Sequence, residues 1–278
     1  AIVAGQFYEG NEKELREQIR ECFTSSFGPG KLPAEKTTGE IKAVISPHAG
    51  FSYSGAAASH VYKKIAESKK PDVFLILGTN HTGLGQTSVC LDDFETPLGV
   101  AKVDKKFGEE LVKNSKINND PSVHKFEHSI EVQIPFLQFI FNDFKFVPIV
   151  VSSPAYLDEI ADAVRKTVRK TGKKVCIIVS GDFTHYGLSY GFSPFSDNIR
   201  ENIEKLDMGA IEEIKKMGAE GFISYVNETH ATICGYLPIA LMIKILGKGD
   251  VELLKYYTSG DITGDHNTSV SYAGIVIR

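Results

Sequence analysis

KKVCIIVSGDFTH, residues 173–185, carries the pattern that decides the fold. A nearly continuous β-branched and apolar run, VCIIV, gives way at once to small, polar and turn-prone residues. Continuous rather than alternating apolarity is expected of a strand buried on both faces, as in a parallel sheet. The same grammar recurs in IKAVISPH (41–48) and PDVFLILGTNH (71–81), and FKFVPIVV (144–151) reads as a fourth strand. Between these runs lie helix-like stretches at 54–68, 128–141 and 156–171. Strands alternating with helices predict βαβ units, hence an α/β fold with a central, mostly parallel sheet flanked by helices. TSVCLDDFETPLGVAKVD (87–104) alternates around Pro97–Gly99 and predicts an inserted β-hairpin. Residues 197–246 read as helices, and 251–261 and 269–278 as two closing strands. No repeat, low-complexity tract or long linker interrupts the pattern, so residues 1–278 are expected to form a single domain.

Composition narrows the partners. The apolar fraction of 42% is enough for a sizeable core, and the formal charge is −4 without a Lys/Arg-rich run. A nucleic-acid or anionic-membrane partner therefore lacks its usual electrostatic footprint. No apolar run reaches the roughly 18 residues of a membrane-spanning helix, and no basic-then-apolar leader opens the chain. Cys22, Cys90, Cys176 and Cys234 stand far apart with no CxxC pair, a usage that fits a reducing, cytoplasmic compartment. Cys22, Cys90 and Cys176 read as small apolar fillers.

The chemistry gathers where the buried strands end. His48 follows the first, His81 the second, and Asp182 and His185 the later one. In open α/β sheets ligands bind outside the carboxyl ends of the strands. If the strands are parallel neighbours, these side chains converge. Two histidines beside an anionic group suit iron, copper or zinc. Each imidazole that binds through one nitrogen needs an acceptor for its other N–H, and Asp182 is a candidate acceptor. A single histidine at a strand end is more often a loop or capping residue; the coincidence of three gives the site its weight. Cys234, in THATICGYLPIALMI, reads as a packing residue or, at the start of an apolar helix, as a thiolate favoured by the helix N-terminus. His128 either caps the following helix or faces the pocket. His60 reads as a solvated or core residue, and His124, His230 and His266 sit in uninformative contexts. No Walker A, HExxH or G-x-G-x-x-G motif is present, which removes most support for kinases, zincins and NAD dehydrogenases.

AGQFYEG, SPHAGFSYSGAAASHVY, ILGTNHTGLG, EHSIEVQIPFLQ, SGDFTHYG and TICGYLPI follow one another from the N-terminus to the last strand. In this order they resemble the signature blocks of the Memo family. The resemblance implies a fold similar to class III extradiol dioxygenases, in which two histidines and a carboxylate hold non-haem iron. It implies His48, His81 and Cys234 as metal ligands, with Asp182 and His185 as catalytic pocket residues and His185 as an acid/base. Cys234 stands where the dioxygenases have a carboxylate; a thiolate there favours copper, zinc or a redox-active iron, and the redox reading points to iron or copper ahead of zinc, with no nucleotide cofactor. The resemblance also implies a functional link to AMMECR1-like and radical S-adenosylmethionine proteins, and a small-molecule or peptide ligand. It leaves three functions open: metal-dependent, dioxygenase-like redox chemistry, non-enzymatic binding in a vestigial pocket, or metal-assisted hydrolysis at a zinc-bound water.

Overall fold

The structure is a computed structural model describing residues 1–34 and 39–278. Helix α1 (Glu12–Thr24) precedes β1 (Ala43–Ser46), α2 (Phe51–Glu67) and β2 (Val73–Thr79). An excursion follows through β3 (Ser88–Val89), the hairpin of β4 (Phe94–Thr96) and β5 (Gly99–Val103), α3 (Lys105–Asn114), β6 (Asn118–Asn119) and α4 (Pro121–His124). The chain returns by a 3-10 turn at Glu131–Gln133 into α5 (Ile134–Ile140) and β7 (Lys145–Val151). Then come α6 (Leu157–Thr171), β8 (Val175–Ser180) and β9 (His185–Tyr186). Three helices, α7 (Ile199–Lys215), α8 (Ala219–Thr229) and α9 (Tyr236–Leu246), lead to β10 (Val251–Thr258), α10 (Ser259–Thr263) and β11 (Ser269–Ile277).

The sheet order is β10-β11-β1-β8-β2-β7-β3-β6, and its central strands β1, β8, β2 and β7 are mutually parallel. β11 runs antiparallel between β10 and β1 and closes that side. Alternate residues of the central strands feed two separate cores. Val44, Phe74, Ile76, Phe146 and Ile178 pack with α1, α2 and α5 on one face. Ile45, Leu75, Leu77, Val147, Ile149, Ile177 and Val179 pack with α3, α6, α7, α8 and α9 on the other. Burial on both faces is why these runs are continuously apolar. Among the described residues, no helix is long and apolar enough to cross a membrane.

Several boundaries differ from expectation for local reasons. The helix expected over 128–141 is regular only from Ile134, with Pro135 in its first turn, where a missing N–H costs nothing. His128 therefore caps no helix. The strand expected over 251–261 stops at Thr258, whose side chain caps α10 in a reciprocal capping box with Asp261. Helices α1 and α3 were not anticipated. Leu15, Ile19, Cys22 and Phe23 form the buried stripe of α1, a helical spacing diluted by its many charged residues.

Candidate metal centre

Because β8 lies between β1 and β2, the turns after these three strands open onto one edge of the sheet. His48, His81, Asp182 and His185 meet there, as expected from the strand ends. Cys234 arrives from the far side of the chain, in the turn before α9. Thr79 at the end of β2 donates its hydroxyl to the Cys234 carbonyl at 3.2 Å. Gly181 and Gly235 pack backbone to backbone. A Cβ added at Gly181 would stand 2.6 Å from the Gly235 Cα, and one at Gly235 would stand 2.7 Å from the Gly181 Cα. Glycine at both positions is what lets the Asp182 and Cys234 segments approach.

The tautomer of His48 follows from its surroundings. Ser180 Oγ lies 2.6 Å from the Ser129 carbonyl, which can only accept, so the hydroxyl proton is committed there. Ser180 Oγ then accepts from Gln133 Nε2 at 2.9 Å and from His48 Nδ1 at 3.0 Å. Gln133 is itself oriented, donating to the Pro47 carbonyl and accepting from the Tyr62 hydroxyl. His48 thus carries its proton on Nδ1, and its Nε2 lone pair faces Cys234 Sγ at 3.3 Å. Burial, with the imidazoles of His81, His128 and His185 nearby, holds His48 well below the usual histidine range, in the neutral form a metal requires.

His81 is fixed by Glu127, a carboxylate that sequence reading passed over. Glu127 accepts the His81 backbone N–H at 2.6 Å, the His81 Nδ1–H at 3.0 Å and the Ser129 N–H at 2.8 Å. Burial opposes its charge, but these hydrogen bonds and the His81 ring bring its pKa down to about 2. A carboxylate behind a histidine is the usual device for orienting a ligand ring. Glu127→Gln leaves one of three N–H donors without an acceptor, and is expected to weaken metal binding about 10- to 100-fold in a chelator competition. The same carboxylate stabilises the metal-free fold. Its folded pKa lies below the ordinary 4.5, so this contribution is complete above that pH and drains away as pH falls toward about 2. Urea unfolding of wild type should weaken across that window more steeply than that of Glu127→Gln.

Cys234 corrects one expectation. It is only partly buried and stands outside α9, whose N-cap is Gly235, so no helix terminus lowers its pKa. Burial, and then the Asp182 carboxylate, push the thiol well above its ordinary range. The Asp182 backbone N–H donates to Sγ at 3.2 Å, a contact that suits a thiolate once a cation supplies the charge. The expected role of Asp182 also changes. Its Oδ1 accepts the His48 backbone N–H at 2.8 Å, and the ring N–H groups go instead to Ser180 and Glu127. Burial pushes the Asp182 carboxyl upward. His185 Nδ1 donates to the carbonyls of Phe183 at 2.9 Å and Thr232 at 3.0 Å, leaving its Nε2 without a partner among the described residues.

One donor atom from each of His48, His81 and Cys234 lies within 4.8 Å of the others. Two donors bound at ~2.1 and ~2.3 Å to one tetrahedral ion stand about 3.5 Å apart. The 3.3 Å between His48 Nε2 and Cys234 Sγ fits that spacing. His81, Glu127 and His128 also cluster within 4.8 Å. There the His81 and His128 rings stack at 4.6 Å and 24°, so their in-plane lone pairs lie in nearly parallel, separated planes, and Glu127 already receives three N–H groups. The first set alone is arranged to share an ion.

The family model described as Memo-like protein matches residues 1–276. The chain belongs to the Memo family. Its relatives include a MEMO1 family protein of Methanobrevibacter smithii, 39% identical and covering 99% of this chain and 98% of that protein. Another, from Methanopyrus kandleri, is 38% identical over 99% of this chain and 97% of its own length. The crystal structure of an uncharacterized Escherichia coli K12 protein superposes with a TM-score of 0.56 at 14% identity, covering 86% of this chain and 100% of that one, a likeness of fold.

In this Memo-family chain the metal-capable set opens on a cavity of about 590 Å³. His48, His81, Asp182 and His185 line it, together with His128, Tyr53, Tyr190 and Tyr272. His128 thus faces the pocket, its ring 4.7 Å from Phe7 and 5.4 Å from His48. Cys22, Cys90 and Cys176 are buried fillers, as expected. His60 sits on α2 against the Phe27 carbonyl, and His124 is buried beside Ser88. Ser180, Gln133 and Glu127 were missed because nothing local marks an orienting residue. The one available signal was the run EHSIEVQ itself, too polar for the core helix it leads into.

Proposed function

We propose that this protein binds a redox-active metal ion, iron or copper, through His48, His81 and Cys234, and uses it for oxygenase-like redox chemistry in the adjoining cavity. The observation that carries this reading is the 3.3 Å approach of the His48 Nε2 lone pair to Cys234 Sγ, with the tautomer imposed by Ser180. Two imidazoles and a thiolate are a soft donor set suited to copper, iron or zinc, and zinc would supply no redox step. A bound iron or copper ion would supply one-electron chemistry and an open position for a ligand. The chain's own residues do the rest. Ser180 and Glu127 hold the ligand rings, Asp182 holds the His48 backbone, and the free Nε2 of His185 accepts or returns a proton at the cavity wall. The test is elemental analysis of anaerobically purified protein, followed by oxygen-dependent spectral change on adding Fe(II).

A second reading, non-enzymatic ligand binding, is favoured by Cys234 standing where the dioxygenases have a carboxylate. Cys234→Ser separates the two. It is expected to weaken iron or copper binding at least about tenfold while Tm stays within a few degrees, since a hydroxyl is a poorer and harder donor. A variant that unfolds with no change in metal affinity would return Cys234 to packing.

A further inference from the structure

We propose that Thr232 and Asp207 are positioning residues for His185, gripping the turn at 183–185 from two sides so that Nδ1 only donates and Nε2 alone exchanges protons with the cavity. The proposal rests on the reading of His185 as the proton-moving group given above. Thr232 makes three hydrogen bonds to this one residue. Its Oγ1 accepts the His185 backbone N–H at 2.9 Å and donates to the His185 carbonyl at 2.6 Å. Its own carbonyl accepts the ring Nδ1–H at 3.0 Å, beside the Phe183 carbonyl at 2.9 Å. A carbonyl can only accept, so the Nδ1 proton stays in place whether the ring is neutral or charged. The ring can then take up a proton at Nε2 and return it without turning or changing a hydrogen bond. Which nitrogen is free is set by the bond the other one makes.

The second grip is a buried charge. Asp207 is the charged member of the buried stripe of α7, alongside Ile203, Ala210, Ile211 and Ile214. It is fully buried. Its Oδ1 accepts the Thr184 N–H at 3.2 Å and the Thr184 hydroxyl at 2.6 Å. Its Oδ2 accepts the hydroxyls of Tyr256, at 2.8 Å, and Ser271. Among the described residues these donors are all neutral, and burial pushes the Asp207 carboxyl upward. An apolar residue would continue the stripe without the cost of a buried carboxylate. What Asp207 adds is a hold on Thr184, the residue between the Phe183 acceptor and His185. Strand β11 holds the same segment through Ser271, which donates its N–H to the Thr184 carbonyl at 3.0 Å and accepts the Phe183 N–H at 2.9 Å.

The test reads the ring tautomer by long-range proton–nitrogen correlation NMR of the full chain, with the His185 signals assigned by their loss in His185→Gln. Chelator-treated protein at mildly alkaline pH is used, so the reading needs no metal. A free histidine favours the Nε2–H form. In wild type the Nδ1–H form is expected to exceed it at least about tenfold. Thr232→Val keeps the shape and removes the hydroxyl; it should lower that ratio about fivefold or more, and Thr232→Ser should restore it to within about twofold. Iron or copper affinity should stay within about threefold of wild type in all of these variants. Asp207→Asn is expected to lower the ratio about threefold, and carries the comparison where Thr232→Val does not fold. A wild-type proton on Nε2, an unchanged ratio in the folded variants, or a serine variant as impaired as the valine one would overturn the proposal. So would failure of both Thr232→Val and Asp207→Asn to fold, which would make the two residues purely structural. A valine variant that loses metal affinity with its tautomer unchanged would also overturn it, since Thr232 would then serve Cys234, two residues on. A wild type that takes up no metal but shows the expected tautomers is a failure of the metal reading alone.

Discussion

A His48→Ala/His81→Ala double variant is expected to purify with background metal, below about 0.1 ion per chain, where wild type carries close to one. Structural metal sites with a full donor set are worth roughly 10 kcal/mol or more, so each donor contributes several. Removing two of three leaves a partly buried thiol alone and should weaken binding by roughly a thousandfold or more. The fold should survive. His48 donates its ring proton to a serine hydroxyl that keeps its bonds to Ser129 and Gln133, so the loss is one hydrogen bond and the packing of a buried ring, together roughly 2–4 kcal/mol. His81 is about a third exposed at its side chain and leaves Glu127 with the two backbone N–H groups of His81 and Ser129. Elemental analysis of both proteins, purified without oxygen, decides the matter. Metal retained in the double variant would place the ion elsewhere. No uptake of Fe(II), Cu(I) or Zn(II) by wild type would make the cavity an organic-ligand site and favour the binding reading.

Gly181→Ala is expected to damage both stability and the site, through backbone rather than chemistry. The new Cβ would lie 2.6 Å from Gly235 Cα and 3.2 Å from its nitrogen, and neither atom can rotate away. Relief requires the end of β8 and the start of α9 to separate. Forced overpacking of this kind costs about 1–3 kcal/mol and lowers Tm by several degrees. The same movement pulls Cys234 from Asp182 and His48, so metal affinity should fall although no ligand has changed. A thermal melt beside a chelator titration tests this. An alanine variant with wild-type Tm and affinity would show that the two segments can part freely, and the close contact would then position nothing.

How much of this was legible beforehand differs between fold and site. The four parallel strands could be read from continuous apolarity, because a strand covered on both faces has no solvent side to write in polar residues. His48, His81 and Asp182 could be placed at one edge because parallel neighbours end on the same side. The charged helices α1 and α3 were harder, since their buried stripes are narrow: Phe107, Gly108 and Leu111 are the buried residues of α3. Cys234 owed its place among the ligands to the family resemblance. Its local sequence favoured packing over a functional thiolate, and the thiolate expected from a helix N-terminus did not materialise once the residue lay outside α9 in a partly buried turn.

The sequence by itself determined the α/β class, the family, and the strand-end residues available to a ligand. These depend on periodicity and on order along the chain, which folding does not alter. Only the tertiary structure decided which nitrogen of each histidine is free, that Glu127 and Ser180 rather than Asp182 hold the rings, and that Gly181 and Gly235 close the site. Each of those is a contact between residues far apart in sequence: 46 positions for His81 and Glu127, 132 for His48 and Ser180. A hydrogen bond across such a distance leaves no periodic trace, because its partners are set by how the sheet brings loop ends together.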